Sequence, residues 1–236
     1  MVAGLIVLVC VPGAHGVARP AGPVSLAVLF PVRDWRRVLG IRSAAGYTLR
    51  YMAHCIELFG SRAWMVAFLG YSAGLQAAGS AYPRNFAAIA AIVNLLAVPA
   101  SILGNEVALR IGRRRWIEIA MVGSGGCGIA LAFCGAAHWS LVVMLLTLYS
   151  MLVMAESATL TAGLVEAATA EMRGAALGLY SLAGFTGGML GPSLFGVALD
   201  LAGGQDSTAA WAAGYAAIGA GCLAVPLVLR LLARGR

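Results

Sequence analysis

Six stretches of this chain run for about twenty residues or more with few charges: 44–72, 85–108, 115–136, 139–164, 174–200 and 210–232. A hydrocarbon layer about 30 Å thick needs about 20 apolar residues of helix to cross it. Inside lipid a backbone has to satisfy its own hydrogen bonds, which restricts a chain with such runs to a very small set of folds. The expected fold class is therefore all-α, a polytopic membrane bundle of six transmembrane helices.

Composition agrees. Of the 236 residues, 61% are hydrophobic and 11% charged, against about 45–50% and about 25% in soluble domains. A chain this short has too little interior to hide that much apolar surface from water. An ordinary soluble enzyme, a disordered chain and a DNA-binding domain are thereby excluded. The five cysteines, Cys10, Cys55, Cys127, Cys134 and Cys222, are scattered without metal or redox spacing and read as small apolar fillers.

Ahead of the six runs, residues 1–11 are apolar but too short to span. They lack the basic start of a signal peptide, since the first arginine is Arg19. They are expected to be the stub of a preceding helix, cut by truncation or by a misplaced start, which makes the chain a fragment. Residues 12–42 form a linker broken by Pro12, Pro20, Pro23 and Pro31, with a short interfacial helix around Val32–Leu39. Residues 43–236 form the six-helix domain. Its two groups of three spans would run in opposite senses, as in an inverted repeat.

All sixteen basic residues are arginine. Thirteen lie in the linker, in the loops after the second and fourth spans, and at the C-terminus; the opposite loops hold only Arg84. Positively charged loops stay in the cytoplasm. Linker and C-terminus are expected there, in a plasma (inner) membrane, and the arginine-only usage suggests a GC-rich bacterial genome. Charges clustered in this way act as topology signals, so no nucleic-acid partner is expected.

Charges inside the spans point to function. Arg50, His54 and Glu57 lie at i, i+4 and i+7 in the first run, with Ser61 and Trp64 continuing the row. A charge near the bilayer centre costs at least about 2.5–3.5 kcal/mol on insertion scales, so this face should look into the bundle or a watery cavity. His54 and Glu57 read either as a substrate- or proton-handling pair or as a buried structural ion pair; Arg50 joins the row or snorkels to the membrane face. Glu156, deep in the fourth run, is a second intramembrane acid on the first helix of its group. Asn94 and Gln76 are weaker candidates. The H-x-x-E spacing supplies two ligands and lacks the others a zinc site needs; no metal or cofactor is expected.

The segment 104–115, GNEVALRIGRRR, joins the second and third spans. Glu106 with Arg110, and Arg114 with Glu118, are spaced to pair along a helix. They act either as plain anchors or as a cytoplasmic gate. In the fifth run Gly184 with Gly188, and Gly187 with Gly191, are small-xxx-small pairs that bring helices close, and Pro192 is expected to bend the helix.

At these residues the chain resembles the C-terminal half of a major facilitator superfamily (MFS) transporter. The cytoplasmic motif G-x-x-x-D-R-x-G-R-R aligns with Asn105–Arg114. Arg110, Gly112, Arg113 and Arg114 match, while Asn105 replaces the first glycine and Leu109 the acid, leaving Glu106 as the substitute. The motif G-x8-G-x3-G-P-x2-G-G matches Gly178, Gly187, Gly191, Pro192 and Gly196, with Phe195 departing from it. The resemblance implies that residues 1–11 end the family's sixth helix, that 12–42 are its central linker, and that the six spans are helices seven to twelve. It also implies that Glu57, His54 and Glu156 line the central cavity, since the family's seventh and tenth helices do.

The expected function is secondary active transport of a small solute by alternating access, coupled to protons through His54, Glu57 and Glu156. The implied partners are the solute, protons, the lipid bilayer, and an N-terminal six-helix half or a second copy of the chain. The alternative is a non-transporting scaffold or sensor subunit built on the same bundle. An enzyme is not expected, because no nucleophile–base pair or metal cluster is visible across the spans.

Overall fold

The computed structural model describes residues 30–76, 82–83 and 85–234, residues 230–234 by their backbone alone. The expected stub at 1–11 and the linker up to residue 29 lie outside the described residues. The described part is helical: α1 (Val32–Gly40), α2 (Arg42–Gly74), α3 (Phe86–Ile111), α4 (Arg113–Phe133), α5 (Trp139–Ala155), α6 (Ser157–Ala167), a 3-10 turn (Ala170–Met172), α7 (Arg173–Leu201) and α8 (Thr208–Arg234).

Five stretches are long and apolar enough to cross a membrane: Phe86–Ile111, Arg113–Phe133, Trp139–Ala167, Ala170–Leu201 and Thr208–Leu229. They mark the chain as an integral membrane protein. α2 has the length, but Arg50, His54, Glu57 and Arg62 interrupt its apolar sequence. Five of the six expected spans thus stand on length and composition; the one expected at 44–72, α2, does not, because of these charges. Large apolar side chains such as Leu95, Ile102, Phe185, Met189 and Leu201 are exposed along these helices. A soluble monomer rarely presents so much apolar surface, whereas a bilayer requires it.

α2 is the most enclosed element. It packs against α7 along much of its length and also against α8, α6, α5 and α3. Burial on several sides is what lets a charged helix sit inside an apolar bundle. The other main pairings are α4 with α8, α3 with α5, α7 with α8, and α4 with α5. Exchange α2 for α5–α6, α3 for α7 and α4 for α8, and these pairings map onto one another. The α2·α7 pair becomes α5·α3, α2·α8 becomes α5·α4, and α4·α8 maps onto itself. The two groups of three helices are therefore packed alike, and their successive helices alternate so that the groups run in opposite senses.

The bundle has a linker end, near Arg42, Gly112 and Arg173, and a far end, near Gly74 and Trp139. Ser72 Oγ donates to Gly135 O (2.7 Å), and Gln76 Nε2 donates to Ala136 O (3.3 Å) and Ala137 O (2.9 Å), tying α2 to the start of α5 at the far end. Two apolar clusters fill the interior. Phe68, Phe195, Trp211 and Tyr215 belong to the larger, far-end cluster, and Val38, Ile117, Leu160 and Tyr180 to the linker-end one. Val38 belongs to α1, the short helix expected at Val32–Leu39, which docks here through that buried side chain.

Candidate functional site

The row on α2 faces inward: Arg50, His54, Glu57 and Ser61 are all buried. The structure separates His54 from Glu57, which the sequence suggested as a pair. His54 Nδ1 lies 3.0 Å from Glu156 Oε1, both side chains being essentially inaccessible. One of the two groups holds the shared proton, so the bond exists with either the imidazole or the carboxyl as donor. Tyr51 stacks on Tyr180 with ring centres 3.7 Å apart and lies against the His54 ring on its other neighbour contact, at 5.8 Å. Glu57 points the other way, into α4 and α8. Its Oε2 accepts from Ser124 Oγ at 2.7 Å, and the Cys222 thiol is its polar neighbour on α8. There Gly125 of α4 meets Gly219 of α8 closely enough that a methyl group would press on the facing backbone.

Glu156 sits where the fourth apolar run breaks. α5 ends at Ala155 and α6 begins at Ser157, with Glu156 between them as a fully buried turn residue. A break in a membrane helix frees backbone groups that require partners. The Ala155 carbonyl accepts Trp116 Nε1 at 3.0 Å. Gly104 of α3 packs so tightly on Ala155 that a Cβ there would collide with this same carbonyl. Glu156 Oε2 has no hydrogen-bond partner among the described residues. The buried carboxyl thus has one oxygen committed to His54 and one left over.

Toward the linker end a second charged group forms. Arg50 Nη2 approaches Glu118 Oε1 (3.6 Å), and Arg114 Nε donates to the same oxygen (3.1 Å). Arg50 is therefore paired within the bundle and does not snorkel out. Arg113 donates twice to Glu166 of α6 (3.1 and 2.6 Å) and once to Asn105 Oδ1 (3.1 Å), which also receives the Thr159 hydroxyl at 3.5 Å. Gly112 joins α3 to α4 at φ +94°, backbone that suits glycine. Glu106 does not fill the role expected of it. No ion pair joins it to Arg110 among the described residues, and Arg110 is exposed. The acids that meet the arginine run are Glu118 and Glu166, because the turn at Gly112 aims Arg113 across at α6.

The glycines of α7 explain its close fit to α2. A Cβ at Gly187 would stand 2.6 Å from Met52 O, one at Gly196 2.9 Å from Trp64, and one at Gly191 would strike Ile56 O. Gly178 is different: its Cβ would meet only Trp35 at an ordinary 3.7 Å, so that position needs no glycine for packing. α7 continues through Pro192, whose carbonyl accepts Trp64 Nε1 at 3.0 Å. Asn94 Nδ2 donates to Ala90 O of its own helix at 2.8 Å and reaches Met65 Sδ of α2 at 3.7 Å.

Comparison of the chain with protein-family models, curated proteins and solved structures finds no match. The site therefore stands on its own residues. Among the described residues no three His, Cys, Asp or Glu side chains gather as metal ligands. Sequence reasoning singled out His54, Glu57 and Glu156 but not the pairing of His54 with Glu156, nor Ser124 as the partner of Glu57, nor Glu166 as the partner of Arg113. None of these pairings has a local signal, because each joins helices far apart in sequence.

Proposed function

We infer that the protein is a secondary active transporter of MFS type, forming its C-terminal six-helix half, and that it moves a small solute by alternating access with proton coupling. The observation that carries this reading is the His54–Glu156 bond. It joins the middle of α2 to the middle of α5–α6, the counterpart helices of the two three-helix groups, at a helix break. Transporter sites form at such places, where repeats meet at mid-depth and a helix is discontinuous. Intramembrane ionisable groups mark proton and substrate routes.

In this reading α2 is the first of six spans and the linker end faces the cytoplasm of a bacterial inner membrane. The half works with an N-terminal six-helix half or with a second copy of the chain. A proton delivered to Glu156 or His54 changes which of them donates, and so changes the bond that ties the two helix groups together. Arg113, Glu166, Asn105 and the Arg114–Glu118–Arg50 cluster latch the linker end when it is closed.

The test is made in inverted vesicles from the cells that produce the protein, so that any second half is present. With an imposed pH gradient, uptake of a panel of small solutes is followed for the wild type and for Glu156→Gln at the natural locus. The gradient-driven uptake of at least one solute is expected to drop about 100-fold or more, in line with loss of a proton-transfer group, with membrane insertion unchanged. Equal uptake of every solute by both proteins would remove transport through this site.

A further inference from the structure

Arg62 is the intramembrane charge to which the transport reading gives no task. It lies two turns beyond His54 on α2, rotated from it by about 80°, and is half-buried. All nine acidic residues of the chain lie among the described residues. Four of them, Asp34, Glu118, Glu156 and Glu166, form ion pairs, with Arg37, Arg50 and Arg114, His54, and Arg113 respectively; none of the nine pairs with Arg62. Its polar contact is Nη2 donating to Met154 Sδ at 3.5 Å, and a thioether is a weak acceptor.

Depth excludes the simplest account. Helical side chains lean toward the helix N-terminus, which turns Arg62 away from the nearer, far end of the bundle. Met154 stands at the other end of α5 from Trp139, two residues before Glu156. At 1.5 Å per residue that is about 22 Å below the start of the helix. The guanidinium is therefore held near mid-depth beside the helix break, and does not snorkel to the interface. A cation at that depth needs water or a counter-charge, and no acidic side chain of this chain supplies one.

We propose that Arg62 is the docking point for an anionic cargo, and that the solute carried is a small organic carboxylate. This rests on the transport reading and specifies its substrate class. A guanidinium presents a planar fork of N–H donors that matches the two oxygens of a carboxylate. One turn before and one turn after it on α2 stand Leu58 and Val66, and across from it stands Met154. One cation set among apolar side chains suits a carboxylate with a small hydrocarbon body. Docking there would place the solute beside the seam closed by His54 and Glu156, so the cargo and the proton act on the same joint.

The experiment uses the full chain in lipid nanodiscs and follows thermal unfolding with acetate, lactate, succinate or benzoate, and with the matching amides as neutral controls. At least one carboxylate is expected to raise Tm by about 5 °C at a concentration of about one hundred times Kd, with no shift from its amide. Arg62→Gln should weaken that binding about thirtyfold or more. Without ligand the same variant should unfold at an unchanged or higher temperature, since it loses an uncompensated charge. Arg62→Lys, which keeps the charge but not the fork, should retain part of the shift. No shift from any carboxylate, or an equal shift in Arg62→Gln, would overturn the assignment. Gradient-driven uptake of a neutral or cationic solute that survives Arg62→Gln but is lost in Glu156→Gln would overturn it too, while leaving transport intact. Uptake insensitive to Glu156→Gln would defeat the transport reading itself.

Discussion

His54 and Glu156 meet across 102 residues of sequence, while Glu57, only three residues from His54, turns to a different partner. The row at i, i+4 and i+7 was legible because helical spacing alone puts those residues on one face. A face about three side chains wide still splits between neighbours: its His54 edge meets α5–α6 and its Glu57 edge meets α4 and α8. Which neighbour each edge meets is decided by tertiary packing, and sequence spacing carries no record of it. The division gives the two acids different expected behaviour. Glu57 has a single strong donor, Ser124, inside a closed part of the bundle. Ser124→Ala leaves a buried carboxyl oxygen without its donor and should cost about 1.5–3 kcal/mol. For a chain of this size that lowers Tm by roughly 3–12 °C, read by thermal unfolding in nanodiscs. Glu156→Gln can still bond to His54 through its amide, so it should fold with nearly wild-type stability while losing proton coupling. A large loss of stability in that variant, with transport retained, would reverse the two roles.

At the scale of whole helices, hydrophobic run length placed the helices to within a few residues, and glycine spacing identified the face of α7 that lies against α2. The break at Glu156 left no such mark. Residues 153–158 contain neither proline nor glycine, and the features that accommodate the break lie on α3 and α4, as Gly104 and Trp116. Pro192, expected to bend its helix, lies inside α7, which runs on from Arg173 to Leu201. Two comparisons test this packing. Gly191→Ala should destabilise the bundle by about 1–3 kcal/mol, because a Cβ there strikes Ile56 O and a core this tight relaxes at a cost. Gly126→Ala, where a Cβ meets nothing within 4 Å, should instead be neutral or stabilise by up to about 1 kcal/mol through helix propensity. Equal Tm values for the two variants would mean that α2 and α7 are not in close contact. Trp116→Phe keeps the ring but removes the donor to Ala155 O. The freed carbonyl should then speed amide hydrogen exchange at residues 156–159, the turn that begins α6.

For the molecule as a whole, arginine is sorted by end. The described linker end holds Arg33, Arg36, Arg37, Arg42, Arg110, Arg113, Arg114, Arg115 and Arg173, together with Asp34, Glu106, Glu166 and Glu171, whereas the far end displays Gln205, Asp206 and Asp200. α8 runs back to the linker end and finishes in Arg234. Such an asymmetry fixes orientation at insertion, since basic segments are retained on the cytoplasmic side. In the proposed topology, with the linker end cytoplasmic, α2 crosses the membrane despite its charges. If α2 stayed at the surface, α3 and every later helix would reverse, and the arginine-rich loop at Gly112 would be forced outside against the charge rule. The burial of Arg50, His54, Glu57 and Ser61 among α5, α6 and α8 argues for crossing. Cysteine labelling decides the matter in a variant whose five native cysteines are replaced. Arg110→Cys should react with a membrane-impermeant maleimide only after the cells are opened. Gln205→Cys, exposed on the far-end loop between α7 and α8, should react in intact cells. The reverse pattern would place the linker end outside, and with it the Arg113–Glu166 ion pair. Labelling of both positions in intact cells would mean an even number of crossings between them, so that α4, α5–α6 and α7 would not make the three passes their lengths allow.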